Sequence, residues 1–283
     1  MKALNDWLQL FKTQLEPLYG EREAKAVAKF YLSESLGLIS TDFILRSSEP
    51  FDLPSASAHL EQLKAGRPVQ HVVGKASFFD LELRVTSKTL VPRPETEELV
   101  AAIARRWRGK EVRILDLGTG SGCIALALKA QLTQAEVWAW ELDAGALEVA
   151  RENGLTTGLD VHFEQHDMLG DDPWPPCEVV VSNPPYIPQK ERANMDKNVT
   201  DYEPGLALFV PDDDPLLFYR VLAQKAQQHF VHGGELWVEI HEDFGEVTLE
   251  LLRAHGANET VCYQDLQGKD RYIAALYGNQ RGN

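Results

Sequence analysis

The sequence predicts an α/β protein whose larger part is a mostly parallel sheet with helices on both faces. Three observations predict it. From Val112 onward, short apolar runs of β-prone residues alternate with stretches of helical periodicity. The first of those runs, Ile114-Leu115-Asp116-Leu117, passes directly into a glycine turn, Gly118-Thr119-Gly120-Ser121-Gly122. A helical segment of about 70 residues that carries no chemical motif precedes all of this.

In chain order, Leu4, Trp7, Leu8, Phe11 and Leu15 recur at helical spacing, and Ala24, Val27, Ala28, Tyr31 and Leu32 repeat the pattern. Gly20 and Gly37 fall at helix ends, and Pro50 and Pro54 punctuate the next connections. A further short helix starts near Ser55 or Ser57 and stops at Gly66, just before Pro68. Short amphipathic helices of this kind predict a small bundle over residues 1–72, a packing or docking module. Residues 73–92 read as a β-hairpin linker, because 77–85 alternate with Leu81, Leu83 and Val85 on one face. Residues 93–283 form the third part. Pro92 and Pro94 fix an extended approach to an acid-rich helix that starts at Pro94 or Thr96.

Beyond it the expected strands are 112–116, 136–141, 161–164, 179–182 and 235–240, and the expected helices are 123–132, 145–153, 215–230 and 243–255. Two closing strands, near 259–263 and 271–277, have no helix between them, so one of them runs antiparallel. Ligands of such a sheet lie at the carboxyl ends of its strands.

Composition removes several classes of function. With 44% hydrophobic and 25% charged residues the chain has ordinary globular composition, which argues against wholesale disorder. No run approaches the roughly 20 apolar residues of a membrane span. The opening Met1-Lys2-Ala3-Leu4-Asn5-Asp6 meets polar and acidic residues too early for a signal peptide. Cys123, Cys177 and Cys262 are far apart and form no Cys-x-x-Cys pair, so neither a disulfide framework nor a cysteine zinc site is expected, and no metal. The expectation is a reduced, cytoplasmic protein. A net charge of −15 repels a polyphosphate backbone and suits a basic protein partner, so stable nucleic-acid binding is not expected.

The glycine turn lets backbone approach a ligand with no Cβ in the way, and the helix after it offers free amides. Dinucleotide sites prefer G-x-G-x-x-G. The G-x-G-x-G spacing of Gly118, Gly120 and Gly122 fits S-adenosylmethionine better, because that cofactor has no pyrophosphate to hold. Glu141, at the end of the second strand, can accept hydrogen bonds from both ribose hydroxyls. At the third strand end, Asp167 can bond an adenine amino group and Met168 can pack on the ring.

Asn183-Pro184-Pro185-Tyr186 follows the fourth strand. Two consecutive prolines force the chain out of the sheet along a rigid, extended path. The carboxamide of Asn183 and the carbonyl of Pro184 then become two fixed acceptors, with the aromatic face of Tyr186 beside them. Two acceptors and a flat ring make a receptor for a planar NH2 group, oriented for methyl transfer to nitrogen. An amide and the N6 amine of adenine look alike to such a receptor, so the motif fixes the reaction and leaves an adenine-N6 methyltransferase as the alternative.

The chain resembles the bacterial release factor glutamine N5-methyltransferases, the HemK/PrmC family, over essentially its whole length. The resemblance rests on Gly66-Arg67-Pro68-Val69-Gln70-His71, on Arg93-Pro94-Glu95-Thr96-Glu97, on the glycine turn, on Asn183 to Tyr186, and on Tyr202-Glu203-Pro204-Gly205-Leu206. It implies a Rossmann-like class I methyltransferase sheet of seven mostly parallel strands, with an N-terminal bundle that helps dock the substrate. It also implies methylation of the glutamine in the Gly-Gly-Gln loop of class I peptide chain release factors; a monomer is expected. On the matching positions, Gly118, Thr119, Gly120, Ser121 and Gly122 would cradle the methionine part of the cofactor and Glu141 its ribose. Met168 would border the adenine, and Asn183, Pro184, Pro185 and Tyr186 would hold the glutamine. Three positions depart from the family's usual pattern: His71 stands for tyrosine, Glu141 for aspartate and His241 for glycine.

Overall fold

The computed structural model describes residues 1–265 and 267–278. They fall into two compact units. One comprises Met1–Lys75 and Asp196–Tyr202, and the other Ala76–Met195 with the chain from Glu203 onward.

The first unit is built on helices α1 (Leu4–Leu36), α2 (Asp42–Leu45), α3 (Ala56–Lys64) and α4 (Val69–Val73). The expected helix end at Gly20 is a break inside α1, where φ 75 and ψ 165 leave the helical region in a way that favours glycine. Phe11 from one arm then stacks on Tyr31 from the other, with ring centroids 4.6 Å apart, and Leu15, Ala24, Ala28 and Leu32 complete a fully buried seam. Gly37 closes the second arm in the left-handed conformation, donating its N–H to Ser33 O. Two elements were not foreseen. Lys2–Ala3 pairs antiparallel with Pro50–Phe51, and Tyr202 of the separate segment donates its hydroxyl to Ala65 O at 2.8 Å.

The hairpin, β1 (Lys75–Phe78) and β2 (Leu81–Arg84), turns at Phe79 and Asp80, both with positive φ. It is shorter than expected because Val72 and Val73 finish α4. Leu83 and Val85 are buried and Leu81 half-buried, as the alternation required.

After α5 (Pro94–Trp107), with Pro94 in its first turn, the alternation proceeds through β3 (Arg113–Leu117), α6 (Cys123–Gln131), β4 (Glu136–Glu141), α7 (Ala144–Thr157), β5 (His162–Gln165) and β6 (Val179–Ser182). It ends with α8 (Leu217–His229), β7 (Gly234–Glu239), α9 (Gly245–Ala254), β8 (Ala257–Gln264) and β9 (Asp270–Tyr277). The seven strands lie in the order β8-β9-β7-β6-β3-β4-β5. All pairings are parallel except those of β9, which runs antiparallel to both its neighbours.

Helices cover both faces of this sheet, so its central strands are buried and largely apolar, with Asp116 of β3 and Glu239 of β7 as buried acids. In β3, Ile114 points into one core with Leu99, Ile103 and Leu126, while Leu115 and Leu117 point into the other with Tyr219 and Leu222. Val179 and Val181 of β6 join the first core and Val180 the second. The strand order reverses between β3 and β6, which makes the crevice at their carboxyl ends the place where such a sheet takes a ligand. No helix among the described residues is long and apolar enough to cross a membrane.

Candidate active site

Leu117 is paired with Ser182, and the Ser182 hydroxyl donates to Leu117 O at 2.7 Å. The glycine turn and the Asn-Pro-Pro-Tyr segment therefore leave the sheet from adjacent strand ends, one interstrand spacing of about 4.8 Å apart. Glu239, the last residue of β7, lies on the other side of β6.

The turn is held from below. Gly118 and Thr119 both donate their N–H to Trp140 O, at 2.9 and 3.0 Å, and Gly122 donates to Thr119 O at 2.8 Å. Gly118, Gly120 and Gly122 all have positive φ. At Gly118 a Cβ would stand 2.6 Å from Met168 Cε, so the turn lies against the third strand-end loop. At Gly120 a Cβ would meet no atom of the described residues within 4 Å, so among them this part of the backbone is open on its outer side.

Glu141 reaches back to this turn. Its Oε2 accepts the Gly120 N–H at 2.8 Å and its Oε1 accepts the Asp143 N–H at 2.9 Å, leaving each oxygen a further lone pair. Thr119 and Ser121 are buried side chains. The threonine hydroxyl donates to Asp116 Oδ2 at 2.6 Å, and the serine hydroxyl has no hydrogen-bond partner among the described residues. Asp167 is exposed, its Oδ1 accepting the Leu169 N–H, and Met168 is half-buried. Next to them His166 stacks on Trp140 with centroids 4.1 Å apart. An open glycine backbone, a carboxylate with spare lone pairs and a flexible thioether at its side fit an adenosyl cofactor.

Asp116 stabilises the turn at a cost that depends on pH. It is fully buried, with Oδ2 also accepting the Ala125 N–H at 3.2 Å and Oδ1 lacking a partner among the described residues. Burial pushes its carboxyl up to about 7 from an ordinary 3.8, against the pull of the Thr119 and Ala125 hydrogen bonds. A carboxyl raised on folding contributes stability that is complete below the unfolded value and is lost as pH rises through the folded one. Asp116→Asn keeps the accepting oxygen and the shape. Urea unfolding should therefore show the parent losing stability relative to this variant between about pH 4 and 7. Parallel curves would contradict the assignment.

Around the fourth strand end, Pro184 and Pro185 are buried, while Asn183 and Tyr186 are half-buried. Asn183 Nδ2 donates to Thr96 Oγ1 at 3.4 Å, and the Tyr186 hydroxyl donates to Glu239 Oε1 at 3.2 Å. Among the described residues the Asn183 side chain bonds through Nδ2, which leaves Oδ1 as an acceptor.

A methyltransferase small domain profile matches residues 94–200. The chain is 36% identical over 271 residues to the release factor glutamine methyltransferase of Flavobacterium psychrophilum, covering 93% of this chain and 95% of that one. It is 35% identical to the enzyme of the same name from Bacteroides thetaiotaomicron, over 93% and 96%. The chain belongs to the release factor glutamine methyltransferase family. Such enzymes depend on S-adenosylmethionine, as the glycine turn led the sequence to suggest. Among solved structures, a methyltransferase from Pyrococcus furiosus shares the fold, with a TM-score of 0.54 at 18% identity over 80% of this chain and all of that one.

In this member of the release factor glutamine methyltransferases, the sequence reading of the site missed two carboxylates. Glu239 is 4% exposed and binds Thr96 as well as Tyr186. Glu203 is buried, holding Arg93 at 2.6 Å and the Val91 N–H at 3.3 Å, so it anchors the proline-rich approach to α5. Burial raises both carboxyls above the ordinary carboxylate range. The signal was present in part: an acid ending an apolar strand in Trp237-Val238-Glu239, and a second in the block Tyr202-Glu203-Pro204.

Proposed function

We propose that this protein transfers a methyl group from S-adenosylmethionine to the side-chain amide nitrogen, N5, of the glutamine in the Gly-Gly-Gln loop of peptide chain release factors. Membership of the family supports it, and the observation that carries the chemistry is the pairing of Leu117 with Ser182. That pairing sets the cofactor turn and the two-acceptor corner on neighbouring strands.

When bound, S-adenosylmethionine supplies a methyl group on a cationic sulfur. Gly118 to Gly122 receive the methionine part and Glu141 accepts from the ribose hydroxyls, with Asp167 and Met168 at the adenine. Asn183 Oδ1 and the Pro184 carbonyl each accept one N–H of the glutamine carboxamide, while the Tyr186 ring packs on its plane. An amide nitrogen is a poor nucleophile because its lone pair is delocalised. Holding both N–H groups aims the π face of the nitrogen along the line of attack. With the cofactor held by Gly118 to Gly122 and Glu141, its methyl would pass to the nitrogen that Asn183 and Pro184 aim, and a neutral thioether would be left. The resulting N-methylated amide is cationic and strongly acidic, so water takes its proton and no side chain must act as base. The protein acts as a monomer in the cytoplasm, and its N-terminal helical unit docks the release factor.

Incubation with a purified class I release factor and cofactor, followed by peptide mass spectrometry, should place one methyl group on the loop glutamine. Methylation that persists after that glutamine is replaced by alanine would reject the assignment, as would equal methylation of duplex DNA offered instead.

A further inference from the structure

We infer that Glu239 and Thr96 are positioning residues that fix which edge of the Asn183 carboxamide faces the substrate. A threonine hydroxyl has a single proton to donate. Thr96 Oγ1 lies 2.7 Å from Glu239 Oε2, and there its proton goes to the carboxyl group. Toward Asn183 the same oxygen can only accept, so the NH2 edge of the carboxamide must face Thr96. Asn183 Oδ1 is thereby turned the other way, where an amide substrate needs an acceptor. A flipped carboxamide would set N–H against N–H, and the receptor would have one acceptor instead of two.

The surroundings make this a built arrangement. Glu239 and Thr96 are 4% and 2% exposed, so water cannot substitute for either partner. The other carboxyl oxygen, Oε1, accepts the Tyr186 hydroxyl at 3.2 Å, so the same group also orients the aromatic wall of the receptor. Its backbone carbonyl accepts the Tyr219 hydroxyl at 3.2 Å, which ties the strand end to α8. Thr96 is fixed at the start of α5 by its N–H to Arg93 O, and the neighbouring Glu97 carboxylate receives the Phe79 N–H of the hairpin at 2.9 Å. A carboxyl group buried behind a strand end, one hydroxyl removed from the residue that meets substrate, has no evident use in a methyl transfer that needs no base. Orientation of Asn183 gives it one.

The inference rests on the amide-transfer reading above, and its test separates the two. Glu239→Met keeps the volume but offers Thr96 no acceptor, so its hydroxyl proton turns to Asn183 Oδ1. Thr96→Val removes the hydroxyl, and Thr96→Ser keeps it. With the full-length protein and a purified release factor, the first two variants should each lose about 100-fold in kcat, the scale of a misoriented reacting group. Their KM for factor and their calorimetric Kd for S-adenosylmethionine should stay near the parent values, and Thr96→Ser should retain turnover. Because both act through one carboxamide, the double variant should be no slower than the slower single one. Parent-like kcat in Thr96→Val, or losses that multiply in the double variant, would overturn the inference. If Glu239→Met does not fold, the contrast of Thr96→Val with Thr96→Ser decides alone. A parent protein that methylates no glutamine would instead sink the proposed function.

Discussion

Asn183→Ala is expected to lower kcat by at least about 100-fold while leaving the melting temperature within a few degrees of the parent. The two halves of that expectation have separate causes. Asn183 is half-buried, and its side-chain hydrogen bond to Thr96 is long, at 3.4 Å, so truncation removes little that holds the fold. The strand below it, Val179 to Ser182, is buried on both faces and keeps its pairing with β3 and β7. Turnover loses one of two acceptors that orient the substrate nitrogen, and orientation is the main contribution available to a reaction without a base. Steady-state rates alongside a thermal melt check both. Parent-like kcat would remove Asn183 from the receptor, and a collapsed melt would make it a structural residue.

The second large effect is on cofactor affinity. Glu141→Ala should weaken S-adenosylmethionine binding by roughly 10- to 100-fold, the value of one hydrogen bond to a charged group. At saturating cofactor kcat should stay close to the parent, because the interaction is the same in ground and transition states. The carboxylate also holds the Gly120 and Asp143 N–H groups, but it is only half-buried, so water can satisfy these in the variant. Glu141→Asp, which keeps a carboxylate one methylene shorter, should bind far better than the alanine variant. Isothermal titration calorimetry decides the matter: unchanged affinity in Glu141→Ala would move the ribose elsewhere.

Much of the second unit was legible in the chain because its central strands are buried on both faces, and continuous apolar runs such as Val179-Val180-Val181 stand out against the helices between them. The strands at 136–141 and 179–182 coincide with the structure residue for residue. The helix end at Gly37 was legible, but a glycine did not always place an end correctly. Thus α7 extends to Thr157 and closes on Gly158, a turn beyond the expected end at Asn153. The segment between Ile187 and Val210 has no periodicity, and its short strands, Ile187–Pro188 beside Phe209–Val210, depend on tertiary pairing alone. The same holds within the site. Local motifs announced the glycine turn and the proline corner. The Glu239–Thr96 pair, 143 residues apart in sequence, exists only through sheet order.

The proposed transfer depends on where two oxygens, Asn183 Oδ1 and Pro184 O, stand relative to a transferable methyl. A crystal structure of the protein with S-adenosylhomocysteine and a release factor tests it most directly. The loop glutamine should have its amide nitrogen within hydrogen-bonding reach of both oxygens and in line with the cofactor sulfur. A glutamine bound elsewhere, or a proline corner facing away from the sulfur, would contradict the account.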